Sequence, residues 1–496
     1  MSKSIKLNAI FKTLMSILNI VFPLLTAPYI ARVLSVDSFT EYNKAQSIIS
    51  WFTPFAVFGV YTFGMRTLSQ LRNDKESISL LFTKLFIINL FTSFVVTIIF
   101  YIIIFFAPSF SSYRLVYFVF SFQILFTFFS TDWAVEANES YGFLLVKSFL
   151  CRFLYVVSVF IFVKKQNDLF IYVLLSTLSL IINNLLTFIY VRSRISFVKI
   201  KLRECFKLFK PLFIVFLLVN SSMLYTIFDK FILTWYGTKL NLTYYNISQL
   251  ITSSVFQVIS SVILVSIPRL SYYWGNHEHD KYFNLLEKTS STFFAINTPC
   301  CIGLAILSYD VIYFYAGEKY LSGNIILALF SIRYLISSID TVLSKEVLLA
   351  TGNERYLTKI YYSGGIFNII LKLFLVFVNK LTPALCIITT ALADILVIIL
   401  QIIRIKKLQI KFYIFSISNI KYLILSLCFI PISLVFSKYF SMLTFIDILK
   451  HSVCVITICV FIYFLFLLIT KDKLLYTLKI LKSKDMINYE ADKKNF

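Results

Sequence analysis

Long runs of apolar residues alternate with short polar segments along nearly the whole chain. Because a helix needs roughly 20 apolar residues to cross a bilayer, the runs predict about fourteen transmembrane helices. The predicted spans are residues 12–33, 43–65, 81–107, 114–133, 143–163, 169–191, 211–236, 244–267, 289–316, 324–349, 360–378, 384–403, 421–440 and 451–470. The runs are apolar on all sides, without the alternation of a membrane β-barrel. The pattern predicts an all-α polytopic membrane protein.

A short motif stands at the start of two of these spans. Residues 40–49 read TEYNKAQSII, and residues 243–251 read TYYNISQLI. A shift of 203 residues superposes Tyr42 on Tyr245, Asn43 on Asn246, Gln46 on Gln249 and Arg66 on Arg269. A shift of 215 superposes ANESY (137–141) on GNERY (352–356). A chance echo in an apolar chain is the alternative to a true repeat.

The positions of the two matches define the repeat unit. One match follows spans 1 and 7 and the other follows spans 4 and 10, so the unit is six spans long. Because six is even, both copies enter the membrane in the same sense, as in transporters whose halves are related by an axis along the membrane normal. We therefore predict two pseudo-symmetric six-helix lobes plus two extra C-terminal helices. The predicted boundaries are 1–210 for the N-lobe with its basic linker, 211–410 for the C-lobe, 411–470 for the extra helices and 471–496 for a cytoplasmic tail.

Composition and charge placement agree with a membrane protein. The chain has 496 residues, 59% hydrophobic and 14% charged, whereas soluble domains carry roughly 25% charge. The net charge of +23 could indicate nucleic acid, but with a cytoplasmic N-terminus 32 of the 47 basic residues fall on the inner side, 8 on the outer side and seven within spans. This is the positive-inside bias. It predicts that both termini are cytoplasmic and that residues 192–210 anchor topology and contact anionic lipid, with no nucleic-acid partner.

Little in the sequence indicates catalysis or a metal. The outward loops are short, and no phosphate-binding glycine loop occurs. GNHEHDK (275–281) has two histidines and two acidic residues, but they are spaced i, i+2 in a charged inner loop without further ligands, so we interpret it as a solvated loop and not a metal site. The eight cysteines lie mostly within spans and are interpreted as apolar filler. We therefore predict that the chain is not an enzyme and has no metal site or cofactor. A membrane-embedded polysaccharide polymerase or glycosyltransferase stays as the alternative from another class.

Several segments resemble the O-antigen flippases, a family of the multidrug/oligosaccharidyl-lipid/polysaccharide (MOP) exporter superfamily. The resemblance rests on FPLLTAPYIARVLSVDSFTEYNKAQSI (22–48), FGVYTFGMRTLSQLRND (58–74), FDKFILTWYG (228–237), IPRLSYYW (267–274) and GNERY, and it covers residues from about 10 to 400. One departure is Ser35, where the family usually has glycine, and it leaves the local turn in doubt.

The resemblance implies a two-lobed bundle of twelve helices around a lumen, with two peripheral helices, in the bacterial inner membrane. The implied activity is to move an undecaprenyl-diphosphate-linked oligosaccharide between leaflets by alternating access. The implied partners are that glycan and membrane lipids, and a polysaccharide polymerase complex is left open. A lipid II flippase and a multidrug exporter of the same superfamily are the alternatives. H⁺ and Na⁺ are both open as the coupling ion.

Charges within spans are the candidate functional residues, since one at the centre of a span costs about 2.5–3.5 kcal/mol. Arg32, Arg152, Arg333 and Lys372 have no acidic residue within four positions. Each must meet a distant carboxylate, a water-filled cavity or an anionic ligand. Arginine binds phosphate groups in a bidentate manner, so these four are our first candidates for the diphosphate, with a structural role as the alternative.

Other charged residues are weaker candidates. Asp229 and Lys230 point about 100° apart on a helix, so each needs a partner elsewhere, and they are candidates for coupling or for interhelical pairing. Asp132 and Asp394 are candidate proton or sodium sites. Arg66 and Arg269, matched by the repeat, are candidates for an inner gate, although topology anchoring explains each alone. Glu41 and Lys44 are spaced to pair along one helix, and Lys345 with Glu346 is interpreted as a solvated face.

Overall fold

The computed structural model describes residues 5–71, 74–410, 417–440 and 444–470. Within those residues every regular element is helical. The first ten α-helices are α1 Ile5–Val33, α2 Val36–Val57, α3 Val60–Gln70, α4 Lys75–Phe106, α5 Arg114–Leu125, α6 Asp132–Ala137, α7 Tyr141–Phe162, α8 Leu169–Arg192, α9 Leu202–Val219 and α10 Thr226–Tyr236. The other nine are α11 Lys239–Gly275, α12 His279–Ile306, α13 Ser308–Ala316, α14 Asn324–Thr341, α15 Glu354–Phe377, α16 Pro383–Lys407, α17 Ile417–Leu427, α18 Phe429–Phe436 and α19 Phe445–Ile469. Four short 3₁₀ segments (Pro108–Tyr113, Phe126–Phe129, Ser221–Leu224, Glu318–Gly323) and a π-helix, Val342–Leu349, lie between them.

Thirteen helical segments of the described chain are long and apolar enough to cross a membrane. They match thirteen of the fourteen predicted spans, and the all-α polytopic fold is confirmed. The seventh predicted span, 211–236, is the one without a matching segment among the thirteen. The 3₁₀ segment Ser221–Leu224 divides it into α9 and α10. The predicted tail, 471–496, lies outside the described residues.

Side chains of α15 satisfy the backbone where the seventh segment breaks. A helix end leaves carbonyl groups without intrahelical partners, and a membrane interior offers little water to replace them. The phenol of Tyr362 donates to the carbonyl of Leu217 at 2.5 Å, and the amide of Asn368 donates to the carbonyl of Leu224 at 3.0 Å. The break is therefore built together with α15.

The second span is also divided, at Phe58 and Gly59. Both residues have positive φ, 45° and 74°, which ends α2 and starts α3. A Cβ on Gly59 would lie 2.7 Å from the carbonyl oxygen of Leu212 in α9. Glycine is therefore required here both by its conformation and by the close approach of α9. The repeat-related helix α11 has no such break and runs for 37 residues.

Matching turns occur at the second repeat motif. The backbone N–H of Glu139 (φ 53°) donates to the carbonyl of Glu136, and the backbone N–H of Gly352 (φ 78°) donates to the carbonyl of Leu349. The next residues, Ser140 and Asn353, each donate to the carbonyl five positions back. Both are the left-handed turn that ends many helices. The turns are related by a shift of 213, so the letter match at 215 is out of register by two residues.

The described residues group into two compact units. Unit 1 comprises the described residues within 1–247, 315–320 and 361–390, and unit 2 comprises those within 248–314, 321–360 and 391–496. The core of unit 1 includes Phe82, Leu85 and Trp133, and that of unit 2 includes Tyr282, Phe293 and Val347. These units are defined by packing, so the lobe boundaries at 210 and 410 stay a prediction.

Two side chains outside the predicted spans accept hydrogen bonds from nearby backbone N–H groups. Asp168, before α8, accepts from the backbone N–H groups of Lys165 and Lys164 at 2.7 and 2.9 Å, which lowers the pKa of its carboxyl below the usual value. Ser35 is the N-cap of α2, and its hydroxyl oxygen accepts from the N–H of Ser38. Serine is a preferred N-cap, so the departure at Ser35 leaves an ordinary helix start.

Candidate functional site

A fully buried ion pair lies beside the break in the seventh segment, in unit 1. The ammonium of Lys372 (α15) is 2.5 Å from Oδ1 of Asp229 (α10), and both side chains have no exposed surface. The ammonium also donates to Asn368 Oδ1 at 2.5 Å and to Thr390 Oγ1 at 2.9 Å. The hydroxyl of Tyr245 donates to Asp229 Oδ2 at 2.6 Å. Three oxygen atoms from three helices therefore surround one tethered cation.

The broken segment explains why this cluster can form. Asp229 lies in the first turn of α10, directly after the break whose carbonyls α15 satisfies. Removing two charges from water costs several kcal/mol per ion, and good geometry with further hydrogen bonds offsets that cost. The neighbouring Lys230 points away and is half-buried, and among the described residues it has no ion pair. The expectation that each neighbour has a partner elsewhere therefore holds for Asp229, which pairs with Lys372, and not for Lys230 within the described residues.

In unit 2, Arg333 of α14 pairs with Asp394 of α16. The guanidinium Nε is 2.9 Å from Asp394 Oδ2, and the hydroxyl of Ser337 donates to the same oxygen at 3.1 Å. The two charged side chains are 9% and 13% exposed. Arg333 and Asp394 were separate candidates in the sequence, and the structure brings them together across two helices.

A third ion pair, in unit 1, includes a residue that the sequence argument missed. The ammonium of Lys147 (α7) is 2.9 Å from Asp132 Oδ1, and the hydroxyl of Thr187 (α8) donates to the same oxygen at 2.6 Å. The side chain of Lys147 is 2% exposed. Lys147 is the fifth residue of the fifth predicted span, 143–163, and that position was the available signal.

A polar cavity of about 790 Å³ opens among helices α1, α2, α5, α7 and α8 of unit 1. Among the described residues that line it, Arg152 of α7 is the only charged one. The guanidinium is half-buried, and within the described residues it makes no hydrogen bond or ion pair. An arginine in this position keeps its donors free for water or for an anionic ligand.

The rest of the cavity wall is rich in uncharged hydrogen-bonding groups. Four amide side chains line it, Gln46, Gln123, Asn183 and Asn184. Hydroxyl groups come from Ser50, Thr53, Thr127, Ser130, Ser176, Ser179 and Tyr155. Gln123 donates to Thr177, whereas the amides of Gln46, Asn183 and Asn184 have no partner among the described residues. Such a wall can bind several hydroxyl groups and one anionic group.

The three remaining arginine candidates are exposed. Arg32 lies in the last turn of α1. Arg66 lies in α3, and Arg269 lies near the end of α11, where its Nε donates to the hydroxyl of Tyr273 at 2.9 Å. Their predicted roles, like those of the other candidates, stay predictions.

The two copies of the repeated motif contact each other within unit 1. The amide of Asn246 in α11 donates to Ser47 Oγ at 3.0 Å and to the carbonyl of Asn43 at 3.4 Å, both in α2. Beside this contact, Glu41 is 1% exposed and has two partners that spacing did not indicate. Its carboxylate accepts from the hydroxyl of Tyr117 at 2.5 Å and pairs with the ammonium of Lys239 at 2.6 Å.

Comparisons with known proteins agree with this architecture. A family model described as "Polysaccharide biosynthesis protein" matches residues 5–274. A Shigella dysenteriae protein named "Putative O-antigen transporter" is 23% identical over 359 residues, which is 71% of this chain and 88% of that protein. An Escherichia coli K12 protein of the same name is 19% identical, over 74% of this chain and 89% of its own length.

Solved structures share the fold. The inward closed conformation of the lipid II flippase MurJ superposes with a TM-score of 0.72 at 16% identity, covering 94% of this chain and all (100%) of that one. An inward-facing multidrug transporter of the MATE family, in the MOP superfamily, gives a TM-score of 0.54 at 11% identity, covering 78% of this chain and 98% of that one.

Proposed function

The chain belongs to the polysaccharide biosynthesis protein family, and from that membership we propose that it is a flippase for a lipid-linked oligosaccharide. The cargo would be an undecaprenyl-diphosphate-linked repeat unit of O-antigen or a similar surface polysaccharide, moved from the inner to the outer leaflet of the bacterial cytoplasmic membrane. Its relatives carry the name of O-antigen transporters, which supports a glycan cargo over a drug.

The cavity around Arg152 is the observation that carries this proposal. Among the described residues, its wall has one cation, which makes no hydrogen bond or ion pair there, and many amide and hydroxyl groups. Sugar hydroxyls need many neutral donors and acceptors, and a phosphate or an acidic sugar needs a guanidinium. A drug-sized apolar cation would gain little from such a wall.

The other intramembrane cations have different roles in this proposal. Lys147, Arg333 and Lys372 are each hydrogen-bonded to a carboxylate. Breaking such a buried pair costs about 3–5 kcal/mol, so these residues would not exchange partners with a ligand at each cycle. We assign to them the task of holding helices in register, and to Arg152 that of contacting cargo.

No covalent chemistry is part of the proposal. Binding on one side of the membrane, rearrangement of the helices and release on the other side suffice for the activity. The positive-inside bias supports a cytoplasmic position for both termini. Cargo enters from the leaflet where it is made.

The test is deletion of the gene in a bacterium that displays surface polysaccharide, followed by complementation. We expect the deletion to abolish surface polymer and to accumulate single undecaprenyl-linked repeat units on the cytoplasmic side. Undiminished polymer together with new drug sensitivity would reject the proposal in favour of a multidrug exporter. Accumulation of lipid II in place of the glycan intermediate would favour a lipid II flippase.

Variants of Arg152 refine this experiment. We expect Arg152→Gln to reduce surface polymer at least tenfold at equal protein level, and Arg152→Lys to restore part of it, because a point charge keeps the attraction without the bidentate geometry. Arg114→Gln is the matched control, since Arg114 is exposed and does not line the cavity. If all three variants produce the same amount of surface polymer, Arg152 does not contact the cargo.

A further inference from the structure

Glu346 is a fully buried acidic residue in an unusual piece of helix. It lies in the π-helix Val342–Leu349, which continues α14 in unit 2, and it has no exposed surface. Its neighbours Leu343 and Val347 belong to an apolar core that also includes Leu286 of α12. The interpretation of Lys345 and Glu346 as a solvated face is therefore wrong for Glu346. Short π-helical segments are rare and often occur at functional sites.

The carboxyl group has an incomplete set of hydrogen bonds. Oε1 accepts from the hydroxyl of Ser266 in α11 at 2.6 Å. Oε2 is buried and has no hydrogen-bond partner in the described chain. The hydroxyl of Thr289 in α12 also faces the group, but it donates to the carbonyl of Leu285 at 2.9 Å. The phenol of Tyr282 donates to the backbone carbonyl of Glu346 at 3.0 Å, not to its side chain.

In the described part of the chain, no cation compensates this carboxyl group. Within the described residues, no lysine, arginine or histidine lies within ion-pair distance of Glu346. The adjacent Lys345 interacts electrostatically with Asp340, and Asp340 accepts from the amide of Gln401 at 2.7 Å. The groups that face Glu346 from α11 and α12 are thus two hydroxyls and a phenol, all neutral.

Other buried acids of the protein show the contrast. Asp229, Asp394 and Glu41 each have a lysine or arginine within 2.9 Å, and Asp310 pairs with His451 at 2.7 Å. An ionised carboxylate buried without a cation costs several kcal/mol, which a group avoids by taking up a proton. The neutral acid is therefore the form that this packing accommodates.

We propose that Glu346 is the proton-binding site of this protein, protonated while α11 and α12 are packed against the π-helix and deprotonated when they separate. The ligand is a proton taken from water, and it is released to water when the carboxyl group becomes accessible. This inference rests on the proposed transport function only where it assigns the proton to coupling. The binding of the proton itself is a property of the purified chain.

The first experiment measures protonation without any cargo. Infrared spectra of the full chain in lipid nanodiscs at neutral pH should contain the C=O band of a buried neutral carboxylic acid. We expect Glu346→Gln to remove this band, because the variant lacks the carboxyl group that binds the proton. We expect Ser266→Ala to shift the frequency of the band, because it removes the hydrogen bond to Oε1. Glu287→Gln, at an exposed position of α12, is the matched control and should leave it in place. If the band is still present in Glu346→Gln, or if the wild-type protein has no such band, Glu346 is not the proton-binding site.

The second experiment tests coupling in proteoliposomes loaded with lipid-linked glycan. We expect the rate of translocation by the wild type to respond to a pH gradient, and Glu346→Gln to remove that response. If the variant responds as the wild type does, Glu346 does not couple the proton to transport. If Glu346→Gln removes the infrared band but the wild-type protein translocates no glycan, then Glu346 binds a proton and the proposed transport function is wrong.

Discussion

The buried charges of this protein differ in how completely their partners satisfy them. Lys372 has three oxygen partners around its ammonium. By contrast, Arg152 faces a cavity, and Glu346 faces an apolar core with no cation beside it among the residues that the structure describes. Completely satisfied pairs stabilise one arrangement of helices, because leaving either charge unpaired is costly. Incompletely satisfied groups are the ones that can change partner or protonation state during a cycle.

Replacing one member of the Lys372 pair should be more damaging than replacing both. We expect Lys372→Met to cost about 3–5 kcal/mol, because Asp229 would stay buried without its cation. The double variant with Asp229→Asn should recover most of that loss. Thermal unfolding followed by size-exclusion fluorescence measures both, with the exposed Lys380→Met as control. A single variant as stable as the wild type would show that the pair contributes little to folding.

The sequence indicated which residues need distant partners but not which partners they have. Arg333, Lys372 and Asp229 were identified because no opposite charge on their own helix could satisfy them. The partners come from α10, α15 and α16, and hydrophobic periodicity does not specify which helices pack together. Lys147 and Glu346 were misread because they lie near span ends, where sequence alone does not distinguish a buried side chain from a solvated one.

At the scale of elements, the broken seventh segment determines the geometry of its surroundings. It exposes carbonyl groups of Leu217 and Leu224 that α15 satisfies, and it places Asp229 opposite Lys372. The apolar run of residues 211–236 is interrupted at the break by only three consecutive polar residues, 220–222, and the sequence analysis therefore treated it as one continuous span. The two breaks, at 58–59 and 221–224, depend on contacts with α9 and α15 that a local pattern cannot contain.

Close packing at the break gives a prediction for Gly365 of α15. A Cβ there would lie 2.6 Å from Cβ of Leu224, and Leu224 is fixed by the hydrogen bond from Asn368. We expect Gly365→Ala to cost about 1–3 kcal/mol through overpacking. Thermal unfolding in detergent measures the change.

Gly303→Ala in α12 is the matched control, because a Cβ there meets nothing within 4 Å. Alanine is the better helix former by about 1 kcal/mol, so this variant should be as stable as the wild type or more so. Equal effects of the two substitutions would mean that the contact with Leu224 is not tight.

At the scale of the whole molecule, the distribution of basic residues predicts its orientation in the membrane. The loop before Asp168 should face outwards, and the loop around Asn276 should face the cytoplasm. In a variant without the eight native cysteines, we expect Asn167→Cys to react with a membrane-impermeant maleimide in intact cells. Asn276→Cys should react only after permeabilisation. The reverse result would invert the proposed direction of transport.

The contact between Asn246 and α2 has a consequence for the history of the sequence. If the two copies of the motif arose by duplication of one ancestral segment, then codons 43 and 246 derive from one ancestral codon and codon 47 from another four positions on. The amide of Asn246 now contacts the hydroxyl of Ser47 and the backbone carbonyl of Asn43. A replacement at one of them changes the surroundings of the other, so they cannot drift independently. Aligned relatives should therefore show correlated substitutions between positions 246 and 47, whose side chains are in direct contact.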